Sequence, residues 1–177
     1  MRSKVLIPIG LFFVILAILT GIAIIIIQTH YFRQFVKLTT NSIVTSLTAQ
    51  DFKIGSIEGN FLKGISLKNV TFDIDGERFI TCDEVFIDYS LPIILDGSML
   101  FSKVIPLHEV RISGFTVNLI HYGGDSWNFT KLGERFIVKE KKPNPDWNIF
   151  IKNGFVENAK MTIYDIPKNQ HSVFELP

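Results

Sequence analysis

Few residues in this 177-residue chain stand at spacings that support chemistry. Acidic side chains gather in Asp73-Ile74-Asp75-Gly76-Glu77, which matches the first half of a calcium-binding loop. Glu84 falls where such a loop places its clamping carboxylate, but the residues beyond it do not read as the helix that should follow. The alternation on both sides makes Asp75-Gly76 a hairpin turn instead. The four histidines, His30, His108, His121 and His171, lack ligand spacing, and His108 and His121 would have to meet across strands to form a site. Cys82 is the single cysteine, so neither an internal disulfide nor a cysteine-based metal centre can form; it reads as a small buried side chain on a strand. No GxSxG, glycine-rich phosphate loop or Cys–His pairing occurs. Asn69-Val70-Thr71 and Asn128-Phe129-Thr130 fit the glycosylation triplet, which arises often by chance in strand-rich sequence. Neither enzyme activity nor a metal or cofactor is expected.

Charge and hydropathy are more informative. Residues 5–27, VLIPIGLFFVILAILTGIAIIII, carry no charged or amide side chain. About 23 residues of helix suffice to cross roughly 30 Å of hydrocarbon. A signal peptide would have a shorter apolar core and a small-residue cleavage site, so an uncleaved anchor is expected. Arg2 and Lys4 before the run and Arg33 and Lys37 after it barely set an orientation. The short leading tail leaves the C-terminal side as the working part. All Lys and Arg except Arg2 and Lys4 lie there, nearly balancing 17 Asp and Glu, so no basic surface is left for nucleic acid.

Residues 30–50 have helical periodicity through Phe32, Phe35, Val36, Ile43 and Leu47. Such a helix would either rest on a membrane surface or plug the end of a β structure. From Phe52 the period becomes two. Phe52, Ile54 and Ile57 mark one strand; Ile65, Leu67, Val70, Phe72 and Ile74 a second, with a parity flip between Leu67 and Val70 that predicts a bulge. Residues 78–89 form a third, with Val85, Ile87 and Tyr89 on one face and Glu84 and Asp88 on the other. Ser90-Leu91-Pro92 starts a short helix ending at Gly97. Val110 and Ile112 share one parity and Phe115, Val117 and Leu119 the other, predicting a second bulge at Ser113-Gly114. Gly123-Gly124-Asp125 is a turn and residues 139–146 an exposed loop. Strand returns at residues 147–151 and 155–164, with Asn153-Gly154 either a tight turn or a bulge. Residues 52–70, 107–119 and 149–163 form a weak internal repeat, the mark of stacked β units.

Ordered along the chain, several motifs carry a resemblance. They are Ile57-Glu58-Gly59 with Gly64-Ile65-x-Leu67-x-Asn69-Val70, then Val85-x-Ile87-x-Tyr89-Ser90-Leu91, then Ile112-Ser113-Gly114-Phe115-x-Val117-x-Leu119. Gly124-Asp125-Ser126-Trp127-Asn128-Phe129 and residues 156–165 follow, the latter with Ala159 where glycine is usual. Together they resemble the start of the AsmA/TamB family of bacterial envelope proteins. The resemblance implies a mainly β fold behind an N-terminal transmembrane helix. The β part would be an antiparallel, repeating, taco-like open groove, with a short amphipathic helix at its membrane end. It divides the chain into a cytoplasmic tail (1–4), an inner-membrane anchor (5–28), an amphipathic helix (29–50) and a periplasmic groove (51–177) continuing in a longer protein.

The function implied is transport of phospholipid acyl chains toward the outer membrane. Val85, Ile87, Tyr89, Phe115, Val117, Leu119, Met161 and Ile163 would line the path, although the same residues would form the core of a closed sandwich. The expected partners are membrane phospholipids and an outer-membrane or periplasmic protein at the C-terminal strand edge, not nucleic acid. A scaffold for outer-membrane protein assembly and an LptC-like lipopolysaccharide-transport component are the alternatives. About ten strands at about 4.8 Å would give a groove of roughly 50 Å.

Overall fold

The apolar N-terminal run and the alternating stretches behind it fold into separate kinds of element. A computed structural model describes residues 3–89, 103–130 and 148–177, with side chains from residue 11 onward. The apolar run forms α1 (Ser3–Ile27), a helical backbone of 25 residues. Its side chains from Leu11 to Ile26 are largely exposed. Gln28 and Thr29 break the helix. Thr29 then caps α2 (His30–Thr48), its hydroxyl accepting from the Phe32 N–H at 3.3 Å. The two helices, taken from Leu11 onward where side chains are described, form a pair bent by 62°, and over that range no single helix is long and apolar enough to cross a membrane. Ala49, in the left-handed region at φ 54°, ends α2 by donating its N–H to Thr45.

The rest is one open sheet of nine strands among the described residues. They are β1 (Asp51–Asn60), β2 (Gly64–Ile74), β3 (Glu77–Asp88), β4 (Val104–Ser113), β5 (Thr116–Gly123), β6 (Ser126–Trp127), β7 (Asn148–Glu157), β8 (Ala159–Asp165) and β9 (Gln170–Leu176). β1, β2 and β3 form an antiparallel meander. Asp75 and Gly76 join the last two with φ of 50° and 84°, the double left-handed turn that suits tight hairpins. No cluster of metal-ligating side chains occurs among the described residues.

The sheet is mixed, which corrects the expected antiparallel groove. β4 and β5 are two lengths of one line. β3 pairs antiparallel with both, Val85 beside Ile112 and Ile80 beside Val117, in one unbroken register. β7 and β8 form a second line, parallel to the first. Val104 lies beside Asn148 and Val117 beside Met161, so one 44-residue offset holds along both halves. About 20 residues separate Trp127 from Asn148, more than the dozen or so that a parallel return requires. Asn153-Gly154 is therefore neither turn nor bulge, for Gly154 pairs with Val110 inside β7. Because these strands share lines, the sheet is six strands wide along β1-β2-β3-β5-β8-β9, roughly 24 Å across at about 4.8 Å per strand, half the width expected. The helix expected after Ser90 and the loop expected at residues 139–146 lie outside the described residues.

One edge of the sheet is covered by α2. Arg33 Nη2 donates to Gly59 O at 2.9 Å and Lys37 Nζ to Gly55 O at 3.0 Å. Asn41 Oδ1 accepts from Ile54 N at 3.0 Å and Thr45 Oγ1 from Phe52 N at 3.4 Å. These four side chains, each one turn after the last, satisfy the row of β1 groups that a neighbouring strand would otherwise meet. At the far side β7 is exposed along its length, and β9 pairs only with β8 among the described strands.

Candidate functional site

Gly55, Asn69, Asp83, Gly114 and Asn158 fall opposite one another across successive strands, as the pairs flanking each of them require. Three of the five have left-handed φ: Asn69 at 51°, Gly114 at 64° and Asn158 at 54°. Asparagine and glycine tolerate that region best. Crossing this crease, the apolar pattern of every strand steps by three residues instead of two: Ile54 to Ile57, Leu67 to Val70, Cys82 to Val85, Ile112 to Phe115, Val156 to Ala159. In a regular strand residues three apart face opposite sides. Yet Ile54 and Ile57 are both buried, 3% and 6% exposed. The break at the row keeps the apolar residues on its two sides on one face.

All eight groove residues expected from sequence share that face. Val117 lies between Ile80 and Met161, and Met161 beside Phe174, extending a row that begins Phe52, Phe72, Ile80. The next row is Ile54, Val70, Cys82, Phe115, Ala159, Leu176. Across the crease run Ile57, Leu67, Val85, Ile112, Val156 and then Ile65, Ile87, Val110. Leu119 pairs with Ile163 at the opposite end of the face. Tyr89 sits at its margin. The Tyr89 hydroxyl donates to Phe61 O at 3.2 Å, its N–H donates to Lys63 O, and burial raises its pKa. Sequence reasoning missed Ile54, Ile57, Phe174 and Leu176 as members. The three-residue step from Ile54 to Ile57 was the signal.

On the opposite face the two rows that flank the crease are polar. Lys53, Thr71, Thr81, Thr116, Lys160 and Glu175 form one row, and Ser56, Lys68, Glu84, Ser113 and Glu157 another. Lys68 Nζ lies 2.6 Å from Glu84, which also accepts from Ser66 Oγ; these two bonds hold the Glu84 carboxyl below its ordinary range. A depression of about 590 Å³ opens here around Asp83, Thr116 and Lys160, with Ala159, Leu176 and Pro177 completing its lining. On the apolar side a second cleft of about 450 Å³ is lined by Phe115, Val117, Ala159, Met161, Phe174 and Leu176, with Lys160 and Glu175, which also line the depression, at its edge. It brings together three of the eight expected residues.

The remaining motifs hold the sheet together. Asn128, 3% exposed, accepts the Ile120 N–H at its Oδ1 and donates from its Nδ2 to Asn118 O at 2.8 Å. The Trp127-Asn128 pair thus stands in for a strand along β5, and the buried Asn128 cannot carry a glycan. His121 stacks on Trp127 and lies 3.3 Å from Asp165, while His108 lies in β4 on the same line. His108 and His121, on one line, do not meet across strands. Cys82 is buried, its thiol donating to Glu84 O and Ser113 O, and burial raises its pKa.

Comparisons with protein-family models, with curated proteins and with solved structures find no match to the chain.

Proposed function

We propose that this protein is a non-catalytic lipid carrier of the bacterial envelope. α1 anchors it in the inner membrane, and the apolar face of the periplasmic sheet guides phospholipid acyl chains toward the outer membrane. The repeating unit of such a groove would be the pair of lines β4–β5 and β7–β8. One observation carries the reading: apolar rows run across all the strands, stay on one face through the crease, and end in the cleft around Val117, Met161 and Phe174. A face of aliphatic and aromatic side chains with no charge in these rows suits a hydrocarbon chain. The resemblance to the AsmA/TamB family supports the same reading.

The test is mass spectrometry of organic extracts from the full chain, purified in a non-lipid amphipathic polymer. Retained phospholipid near one per chain is expected. A chain free of lipid yet folded would overturn the reading.

A second reading, a scaffold for outer-membrane assembly, draws on the exposed outer edge of β7. A partner strand adding there would depend on β7 and not on Val117, so proline within β7 should abolish partner capture while leaving lipid in place.

A further inference from the structure

Two stripes of α2 point in different directions. Arg33, Lys37, Asn41 and Thr45 are consumed by the edge of β1. Tyr31, Phe35 and Leu38, at the spacing of a helical face, are turned away from it, 85%, 63% and 63% exposed. At about 100° per residue, Arg33 stands roughly 200° around the helix from Tyr31, and Lys37 the same from Phe35. This apolar face begins within the first turn after α1, whose own side chains are exposed hydrocarbon. The junction is tied to the sheet. Gln28 Nε2 donates to Asn60 Oδ1 at 2.7 Å, and Phe32 packs edge-on against Phe61 at 5.2 Å. With α1 upright in a bilayer, a 62° bend lays α2 well over toward the membrane plane.

We propose that Tyr31, Phe35 and Leu38 dock α2 into the headgroup boundary of the bilayer that holds α1, fixing the sheet's β1 edge at the membrane surface. The proposal rests on the anchor reading of α1. The occupant is lipid because the face continues directly from α1, and because α2 has no acidic residue to be repelled by headgroup phosphates. The interaction is apolar: both cations of α2 are bound to β1 carbonyls, so attraction to anionic lipid contributes little. Tyr31, with an apolar ring and a polar tip, suits the depth where headgroups meet chains.

The experiment uses the full chain in phosphatidylcholine vesicles. Environment-sensitive dyes are placed on Phe35→Cys, Leu38→Cys and, as reference, the exposed Lys53→Cys. Cys82 is buried and stays unlabelled. Emission from positions 35 and 38 should shift to the blue and be quenched several-fold by lipid spin-labelled near the headgroup, unchanged in high salt. Position 53 should not respond. Three results would overturn the proposal: labels at 35 and 38 no more quenched than at 53; a blue shift without quenching, which means the face packs on a second copy of the chain; or a chain that does not enter vesicles, which removes the anchor as well. Adding Val117→Asp should leave the quenching intact, so failure of the lipid-carrier reading is seen separately.

Discussion

The carboxylate of Asp83 on β3 lies against the Cα of Gly114, in the space a side chain at position 114 would occupy. Gly114 also has a left-handed φ of 64°. Gly124 has a similar φ of 59° but open space around it. Alanine at either site meets the same backbone cost, about 1–2 kcal/mol. Only at 114 must Asp83 also move. Gly114→Ala is expected to lower stability more than Gly124→Ala, by a further roughly 1–3 kcal/mol. Asp83→Ala combined with Gly114→Ala should recover part of that difference in denaturant unfolding, the Asp83 Cβ itself lying 2.9 Å from the added one.

Val117 and Thr116 are neighbours on opposite faces of β5. Val117→Asp puts a carboxylate in the apolar row between Ile80 and Met161. Thr116→Asp puts one in the polar row between Thr81 and Lys160. Exposing a lipid chain to an unpaired charge costs more than the ~1.4 kcal/mol that equals a factor of ten. Lipid retained by Val117→Asp should fall at least about tenfold, with circular dichroism unchanged, while Thr116→Asp keeps its lipid. Equal retention by both would sink the carrier reading.

The Asn41 side chain is the acceptor for the buried Ile54 N–H. Asn41→Ala leaves that donor unpaired, at an expected cost of about 1–3 kcal/mol. Asn41→Asp keeps the acceptor and should lose much less. Hydrogen exchange at the Ile54 amide distinguishes them: fast in the alanine variant, protected in the aspartate variant.

The Tyr122 hydroxyl donates to the Glu77 carboxylate, and that bond, with burial, pushes its pKa up to about 12 from 10.0. A raised value means the folded state favours the protonated phenol. Its contribution is fully present below pH 10 and is lost as pH rises through about 12. Ultraviolet titration of the folded chain should contain a tyrosinate step near 12 that Tyr122→Phe removes. A Tyr122→Phe titration identical to that of the parent chain would refute the assignment.

Much of this was readable in the sequence because burial on one face of a sheet writes itself as alternation. The parity flips at Leu67–Val70 and Ser113-Gly114 mark the left-handed residues Asn69 and Gly114, but the bulges expected there are not formed: the register runs unbroken through both, and β2 shifts register only between Phe72 and Asp73. Asp75-Gly76 was a hairpin and not half a calcium loop. What could not be read was which lines lie side by side. Alternation is the same for parallel and antiparallel neighbours, so the β4–β7 and β5–β8 pairings were hidden. Asn153-Gly154 has a strong turn composition, yet the register with Val110 keeps it extended. The left-handed residue of that line is Asn158, where it meets Gly114. The two faces of α2 were both present in its periodicity; only the free edge of β1 decided which one the protein uses.

The row from Gly55 to Asn158 also acts as a reading frame. On either side of it, inside and outside are spelled by odd and even positions, and the frame changes at the same line in every strand. Deleting one strand residue between the row and a turn would turn the outer letters of that strand inside out, placing Lys or Glu where Ile or Val belongs. Extra residues in a turn change nothing in the spelling. Length variation should therefore be confined to the turns, while the count from each turn to the row stays fixed.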